Sequence, residues 1–476
     1  MHEKIVTSKQ IENAAEEFIR NFFSYYRKLP NDKIINEIDN DKIENLRKIG
    51  IPIQGRAIDT VVNEMVEDIY QYGNNVNHPR YLGFIPGPAS MLSWLGDVMT
   101  SAFNRHAGSW VSCPAASCIE QELIGWLCNQ AGFTEKSGGL FVSGGSMANL
   151  TAMTVARDKI LSEETQHLGV AYVSEQTHSS VAKGLRIIGI PDSRIRRIPV
   201  DSYFKMDTDH LTCSIQKDID EGLAPFIVIA SAGTTNTGSI DPFEKISSIC
   251  QRYGMWMHVD GAFGASVLLT KTHKNLLKGI ELSDSISWDA HKWLFQTYAC
   301  GMILVKNREN LMNSFHVQPE YLKDLGAVQD SFNPWEMGIE LTRPARGLKL
   351  WFTLQVMGSD AIGAAIEHGF QLAEWAEDEL KKNKEIEIVS PAQMAIVNFR
   401  YSPRNMTEHQ KDELNQQISK KMLDSGYAGI FTTEINGKKV LRICAIHPDT
   451  TEADIRNTVR LLNRYFEELV SFQRTE

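Results

Sequence analysis

Apolar positions change their spacing three times along the chain. Near the amino terminus Ile11, Ala14, Ala15, Phe18, Phe22 and Phe23 recur at helical intervals, and Thr7 with Gln10 has the form of a capping box. The spacing predicts a helix whose face is unusually aromatic for a terminal segment. Such a face calls for burial, against its own chain or against a second subunit. From roughly residue 140 to 305 the pattern becomes short apolar runs ending in Gly, Ser, Thr or Asp, alternating with amphipathic stretches. The runs 139–143, 170–173, 225–230, 255–260 and 300–305 suit strands buried on both faces of a mostly parallel sheet. Beyond about residue 360 the texture changes again. Strands are predicted at 386–399 and 440–446, and helices at 405–424 and 451–470, the latter capped by Thr451 with Asp454. Two such αβ units suggest a smaller C-terminal lobe.

Composition narrows the class. The 476 residues are 42% hydrophobic and 23% charged, enough for a large core and more than one domain. A formal net charge of −10 argues against a nucleic-acid or anionic-membrane partner. The seven cysteines are scattered without metal-ribbon spacing, which reads as reduced thiols in a cytoplasmic protein. No apolar stretch reaches the roughly 18 residues a membrane span needs, and the first residues form no apolar signal core.

The chemistry concentrates at the ends of the predicted strands. Asp260 closes the run Met-His-Val-Asp-Gly-Ala (257–262), and Lys292 follows 292 − 260 = 32 residues later in Ser-Trp-Asp-Ala-His-Lys-Trp (287–293). A lysine after an apolar strand and an aspartate ending an earlier one are the two contacts a pyridoxal ring requires: an amine to form a Schiff base and a carboxylate to keep the pyridine nitrogen protonated. Trp288, Trp293 and Leu294 are an odd setting for a surface lysine, and apolar surroundings favour the uncharged, nucleophilic amine. The run 141–151, with Gly144, Gly145 and Ser146 before a helix start, suits a phosphate. His178 can lie flat on an aromatic ring, and Thr234 and Thr235 can donate to a ring substituent. Each of these alone is an ordinary turn or structural polar group. His258 and Asp260 share a strand face, yet no further ligand cluster accompanies them, so no metal is expected.

Together, in this order, the runs resemble the group II pyridoxal-phosphate-dependent amino-acid decarboxylases. The likeness is carried by Asn-His-Pro-Arg-Tyr-Leu-Gly-Phe (77–84), Val-Ser-Gly-Gly-Ser-Met-Ala-Asn (142–149), Thr-His-Ser-Ser-Val (177–181), Ala-Gly-Thr-Thr-Asn-Thr-Gly (232–238), His-Val-Asp-Gly-Ala (258–262), Asp-Ala-His-Lys-Trp (289–293) and residues 341–351. Residues 84–90, 119–122 and 314–324 are similar to the tryptophan decarboxylases of gut bacteria in particular.

The resemblance implies an α/β fold of the fold-type-I, aspartate-aminotransferase-like kind. A large, mixed but mostly parallel sheet domain would be joined to a smaller C-terminal α+β domain. It implies a homodimer with shared active sites, in which residues 1–90 form a helical segment packing on the partner, 91–360 the cofactor domain and 361–476 the small domain. By position, Lys292 would be the Schiff-base lysine, Asp260 the pyridine partner and His178 the stacking imidazole. Gly145, Ser146 and His291 would lie at the phosphate, and Thr235 and Ala262 along the ring. Phe84, His106, Trp110 and Trp335 would form the substrate pocket, with Trp335 on a closing loop and His106 a candidate proton donor. The implied reaction is decarboxylation of an aromatic L-amino acid, L-tryptophan to tryptamine first, with phenylalanine or tyrosine as other substrates. Animal and plant members carry a tyrosine on the closing loop. Residues 325–335 contain none, and Phe332 stands nearest its place, a pattern that in plant relatives accompanies aldehyde formation.

Overall fold

The computed structural model describes residues 6–316 and 332–473. Helix α1 (Ser8–Lys28) begins with the expected capping box: the Thr7 hydroxyl accepts from the Gln10 N–H, and the Gln10 side chain accepts from the Thr7 N–H. Its aromatic face is only partly covered. Phe22 stacks on Trp94 of α2 (Met91–Phe103) with centroids 4.8 Å apart, while Ile11, Phe18, Ile19 and Phe23 stay exposed.

Helix α3 (Pro114–Gln130) brings Glu120 into a fully buried ion pair with Arg343, two contacts of 2.8 Å. The spare valences are taken by backbone. Glu120 accepts from the Phe141 N–H, and Arg343 donates to the carbonyls of Phe141 and Ala107. A pair this deep is tolerable because both carboxylate oxygens and both terminal guanidinium nitrogens are hydrogen-bonded, with Arg343 Nε left without a partner among the described residues; removing either residue would cost about 3–5 kcal/mol.

The centre is a seven-stranded sheet. Its strands are β1 (Gly138–Val142), β2 (Gly169–Ser174), β3 (Ile195–Ile198), β4 (Ala224–Ser231), β5 (Trp256–Asp260), β6 (Ser285–Asp289) and β7 (Gly301–Val305). The spatial order is β1-β7-β6-β5-β4-β2-β3, and β7 alone in this sheet runs against the others. The mixed, mostly parallel sheet expected from the apolar runs is therefore present. Successive residues feed opposite faces: Phe141, Val170 and Tyr172 enter one apolar cluster, Leu140, Val142, Ala171 and Val173 the other. Burial on both faces is why these strands read as unbroken apolar runs. The sequence pattern did not show β3, an edge strand whose Arg196 and Arg197 interrupt the run.

Helices α4 (Gly145–Ile160) and α5 (Ser179–Ile187) follow β1 and β2. Helix α6 (Leu348–Met357) leads into α7 (Ser359–Leu380), whose Ile362, Ile366 and Phe370 join the central core while Leu372, Ala376 and Leu380 join a C-terminal one. The C-terminal layer is an antiparallel sheet ordered β8-β9-β11-β10, from β8 (Ile386–Gln393), β9 (Ile396–Tyr401), β10 (Phe431–Ile435) and β11 (Lys438–Cys444). Helices α8 (Glu408–Ser425) and α9 (Glu452–Gln473) pack on it. The single strand expected at 386–399 is in fact a hairpin, folded back at Met394, whose φ is 54°. Strand β10 was also not foreseen; its run Phe-Thr-Thr-Glu-Ile is polar and only Ile435 is buried. All seven cysteines are free thiols, and among the described residues no helix is long and apolar enough to cross a membrane.

Candidate active site

Because β7 is the reversed strand, the carboxyl ends of β1, β2, β4, β5 and β6 share one edge of the sheet. Loops leaving that edge build the site, as parallel-sheet geometry requires. They enclose a cavity of about 520 Å³ lined by Phe84, Gly145, Ser146, His178, Thr235, Asp260, Ala262, His291 and Lys292. With Gly144 and Thr234, which also line it, eleven of the residues singled out from sequence are thus brought together.

At the floor, Asp260 ends β5. Its Oδ1 accepts from the Ala262 N–H (3.1 Å) and the Ser287 hydroxyl (3.2 Å), and its Oδ2 from Asn149 Nδ2 (3.0 Å). Three donors orient the carboxylate and stabilise its negative charge. Lys292 follows β6, and its Nζ lies 3.2 Å from Oδ2 of Asp289. The wholly apolar setting expected for this lysine is therefore incomplete: Trp288, Trp293 and Leu294 are buried behind it, but a carboxylate faces its amine. The other oxygen of Asp289 is buried without a hydrogen-bond partner among the described residues.

The glycine turn sits against this corner. A Cβ on Gly145 would meet Asp289 Oδ2 at 2.8 Å and the Ala262 methyl at 3.0 Å, and one on Gly144 would meet His291 Cε1 at 2.9 Å. Only glycine lets the backbone come this close. The N–H groups of Met147 and Ala148 both turn back to the Gly144 carbonyl, leaving those of Gly145 and Ser146, among the described residues, as the open start of α4. Beside them is His291, whose Nδ1 contacts the Cys300 carbonyl at 3.2 Å; burial lowers its pKa from the ordinary histidine value. His178 caps α5. Its Nδ1 accepts from the Ser180 N–H, which leaves Nε2 to carry the ring proton.

At the rim, Phe84 has a φ of 51°, is 57% exposed and packs on Phe431 with ring centroids 4.7 Å apart. Arg442 holds this rim from beneath, donating to the carbonyls of Phe84, Thr235 and Asn236. Burial pushes the Arg442 pKa below its ordinary value.

His106, Trp110 and Trp335 do not line this cavity. They gather in a second group, with the His106 and Trp335 rings 6.0 Å apart, the Trp335 N–H on the Gly108 carbonyl and the Trp110 N–H on Asn333 Oδ1. Phe332 packs beside the apolar cluster that holds Leu140 and Met337. Of the expected closing loop, residues 325–335, the stretch 325–331 lies outside the described residues.

Comparison with known proteins decides the family. Residues 41–402 match the pyridoxal-dependent decarboxylase conserved domain. The chain belongs to the pyridoxal-dependent decarboxylase family. It is 36% identical to the aromatic-L-amino-acid decarboxylase of Bacillus atrophaeus, covering 97% of this chain and 96% of that one. The L-2,4-diaminobutyrate decarboxylase of Acinetobacter baumannii is 31% identical, covering 85% and 83%. Among solved structures, Oryza sativa TDC with PLP and tryptamine superposes with a TM-score of 0.92 at 26% identity, covering 98% of this chain and 99% of that one.

As a member of this decarboxylase family the protein is a PLP-dependent carboxy-lyase, and the cavity fits the cofactor. The glycine cradle and the amides at the start of α4 offer close backbone donors to a phosphate; Lys292 and Asp260 supply the amine and the ring carboxylate. Asn149, Ser287 and Asp289 were not singled out from sequence. Asn149 lay inside a quoted run, but its role depends on how α4 packs over β5.

Proposed function

We propose that this enzyme decarboxylates an aromatic L-amino acid, L-tryptophan first, to tryptamine and CO₂, as a cytoplasmic homodimer whose active sites are shared between subunits. The observation that carries the aromatic reading is the end-to-end similarity to an aromatic-L-amino-acid decarboxylase. The sharing is supported by the separation of His106, Trp110 and Trp335 from the cavity, and by the exposed apolar residues of α1 and of α2, where Leu95, Val98, Met99 and Phe103 face outward. In a dimer, residues 1–90 would cover the partner, residues 91–360 would carry the cofactor site and 361–476 the small lobe.

The cofactor, when bound, supplies the electron sink for the pair released as the Cα–carboxylate bond breaks. The chain's own residues do the rest. Lys292 would hold the cofactor through its amine, and Asp260 would keep the ring nitrogen protonated. Gly145, Ser146 and His291 hold the phosphate end. His178 and Ala262 would pack against the ring and exclude water, and Thr235 would offer it a donor. Phe84, with Trp110 and Trp335 of a second copy, grips the substrate side chain; each well-buried ring contributes roughly 1–3 kcal/mol. His106, whose Nδ1 is buried without a hydrogen-bond partner among the described residues, is the candidate to return a proton to Cα.

Turnover of tryptophan, phenylalanine, tyrosine and dihydroxyphenylalanine, side by side with products identified by mass, tests the substrate. Tryptophan not being preferred sinks the narrower reading; no turnover on any of the four sinks the aromatic one. Shared sites are tested by mixing Lys292→Ala protein, nearly inactive, with Trp335→Ala protein, which is impaired. Exchange of subunits should restore activity in the mixture, and a mixture no better than its parts refutes sharing. The absence of a tyrosine from residues 325–335 favours a second reading, an oxygen-consuming aldehyde synthase. Stoichiometric hydrogen peroxide would select it over the amine-forming enzyme.

A further inference from the structure

Behind Asp260 lies a line of buried polar side chains that none of the roles above employs. Trp256 Nε1 is 2.8 Å from Ser285 Oγ, and that oxygen is 2.8 Å from His258 Nδ1. His258 Nε2 is 2.9 Å from Asn149 Oδ1, and Asn149 Nδ2 is 3.0 Å from Asp260 Oδ2. Trp256, Ser285, His258 and Asn149 are all buried, at 3% exposure or less. Polar side chains at this depth need a reason, since each must be fully satisfied to be tolerated.

The direction of every bond in the line follows from its two ends. An indole N–H can only donate, so Ser285 accepts from Trp256 and has its own proton to give to His258 Nδ1. A carboxylate can only accept, so the Asn149 amide turns its NH₂ to Asp260 and its oxygen to His258. Both requirements meet at one ring: a neutral imidazole with the proton on Nε2. Burial lowers the His258 pKa to about 4, against the opposing pull of Asp260, in keeping with a neutral ring.

We infer that His258, acting through Asn149, is a positioning residue for the ring-nitrogen carboxylate. Its Nε2–H locks the Asn149 amide in the one orientation that donates to Asp260, with Ser285 and Trp256 fixing the tautomer. Without that lock the amide can turn its oxygen toward Asp260, exchanging an attraction for a repulsion beside the group that must hold the cofactor's ring nitrogen protonated. This rests on the PLP assignment but not on tryptophan as substrate.

Two polar substitutions of similar size separate locking from packing. Glutamine in His258→Gln can put an N–H at the place of Nε2, whereas asparagine in His258→Asn reaches only the place of Nδ1. The readouts, taken without any amino acid present, are the cofactor's dissociation constant and the protonation of its ring nitrogen, followed by visible absorption and by nitrogen NMR of labelled cofactor. His258→Asn should loosen the cofactor about tenfold and lower ring-nitrogen protonation, while His258→Gln stays within roughly threefold of the parent. Equal damage in both, with circular dichroism unchanged, would make His258 a packing residue and overturn the proposal, as would no damage in either. If His258→Asn fails to fold, Asn149→Leu removes the donor to Asp260 directly. An unaltered ring-nitrogen signal in that variant would equally overturn it.

Discussion

At the floor of the cavity Asp260 has three donors within 3.2 Å and rests on side chains buried to 3% or less, whereas at the mouth Phe84 is 57% exposed and His106, Trp110 and Trp335 stand apart. The floor comes from strand ends of one sheet, whose register pairs Asp260 with Ser287. The mouth comes from loops and a helical surface that one chain leaves uncovered. The contrast divides the work. Every residue proposed to hold the cofactor lines the one cavity, whereas in the proposed dimer the remaining substrate-side residues would come from a second copy.

Breaking the floor should cost most. Lys292→Ala should lower turnover on the order of 10,000-fold, the scale on which a catalytic triad misses a member, and abolish the visible absorption of lysine-bound cofactor. Residual turnover within tenfold of the parent would remove this lysine from the mechanism. Asp260→Asn keeps shape and loses charge; kcat should fall about 100- to 1,000-fold, with a shifted cofactor spectrum. A change confined to the substrate's KM would contradict the ring-nitrogen role.

The mouth should respond differently. Trp335→Ala or Trp110→Ala should lower kcat/KM for tryptophan roughly 10- to 100-fold and leave cofactor affinity untouched. Loss of cofactor in either variant would merge the two regions that the structure keeps apart. The smallest effect concerns stability. Burial, with the nearby Arg80 charge, lowers the His78 pKa from 6.5 to about 4, and burial lowers that of His258 to about 4. The folded state prefers both rings neutral, while the unfolded chain takes up protons below pH 6.5. Stability is therefore full above that pH and declines as pH falls toward 4. The urea midpoint should fall across this window, less steeply in His78→Gln, and identical slopes would show that His78 does not contribute.

How much of this was legible in the sequence follows from the kind of information each feature needs. Lys292, Asp260, His178 and the Gly144-Gly145 turn sit within short runs where residue type and strand end occur together, so a one-dimensional reading finds them. Ser287 and Asn149 matter only because β6 lies beside β5 and α4 crosses both, a fact of topology. Strand β3 hid behind its arginines, and the 386–399 run hid a reversal at Met394 because both arms of the hairpin mix apolar and polar residues in the same way. Asp289 was quoted in a motif, yet nothing along the chain announced that its carboxylate would turn toward the lysine amine three residues on.

Arg442 joins parts of the polypeptide that emerge from the ribosome far apart in time: it reaches back 358 residues to Phe84 and 207 to Thr235. The lip of the cavity cannot close during synthesis until Arg442 has been made. A chain cut short before Arg442 would thus keep the whole catalytic floor and still lack these ties across its entrance.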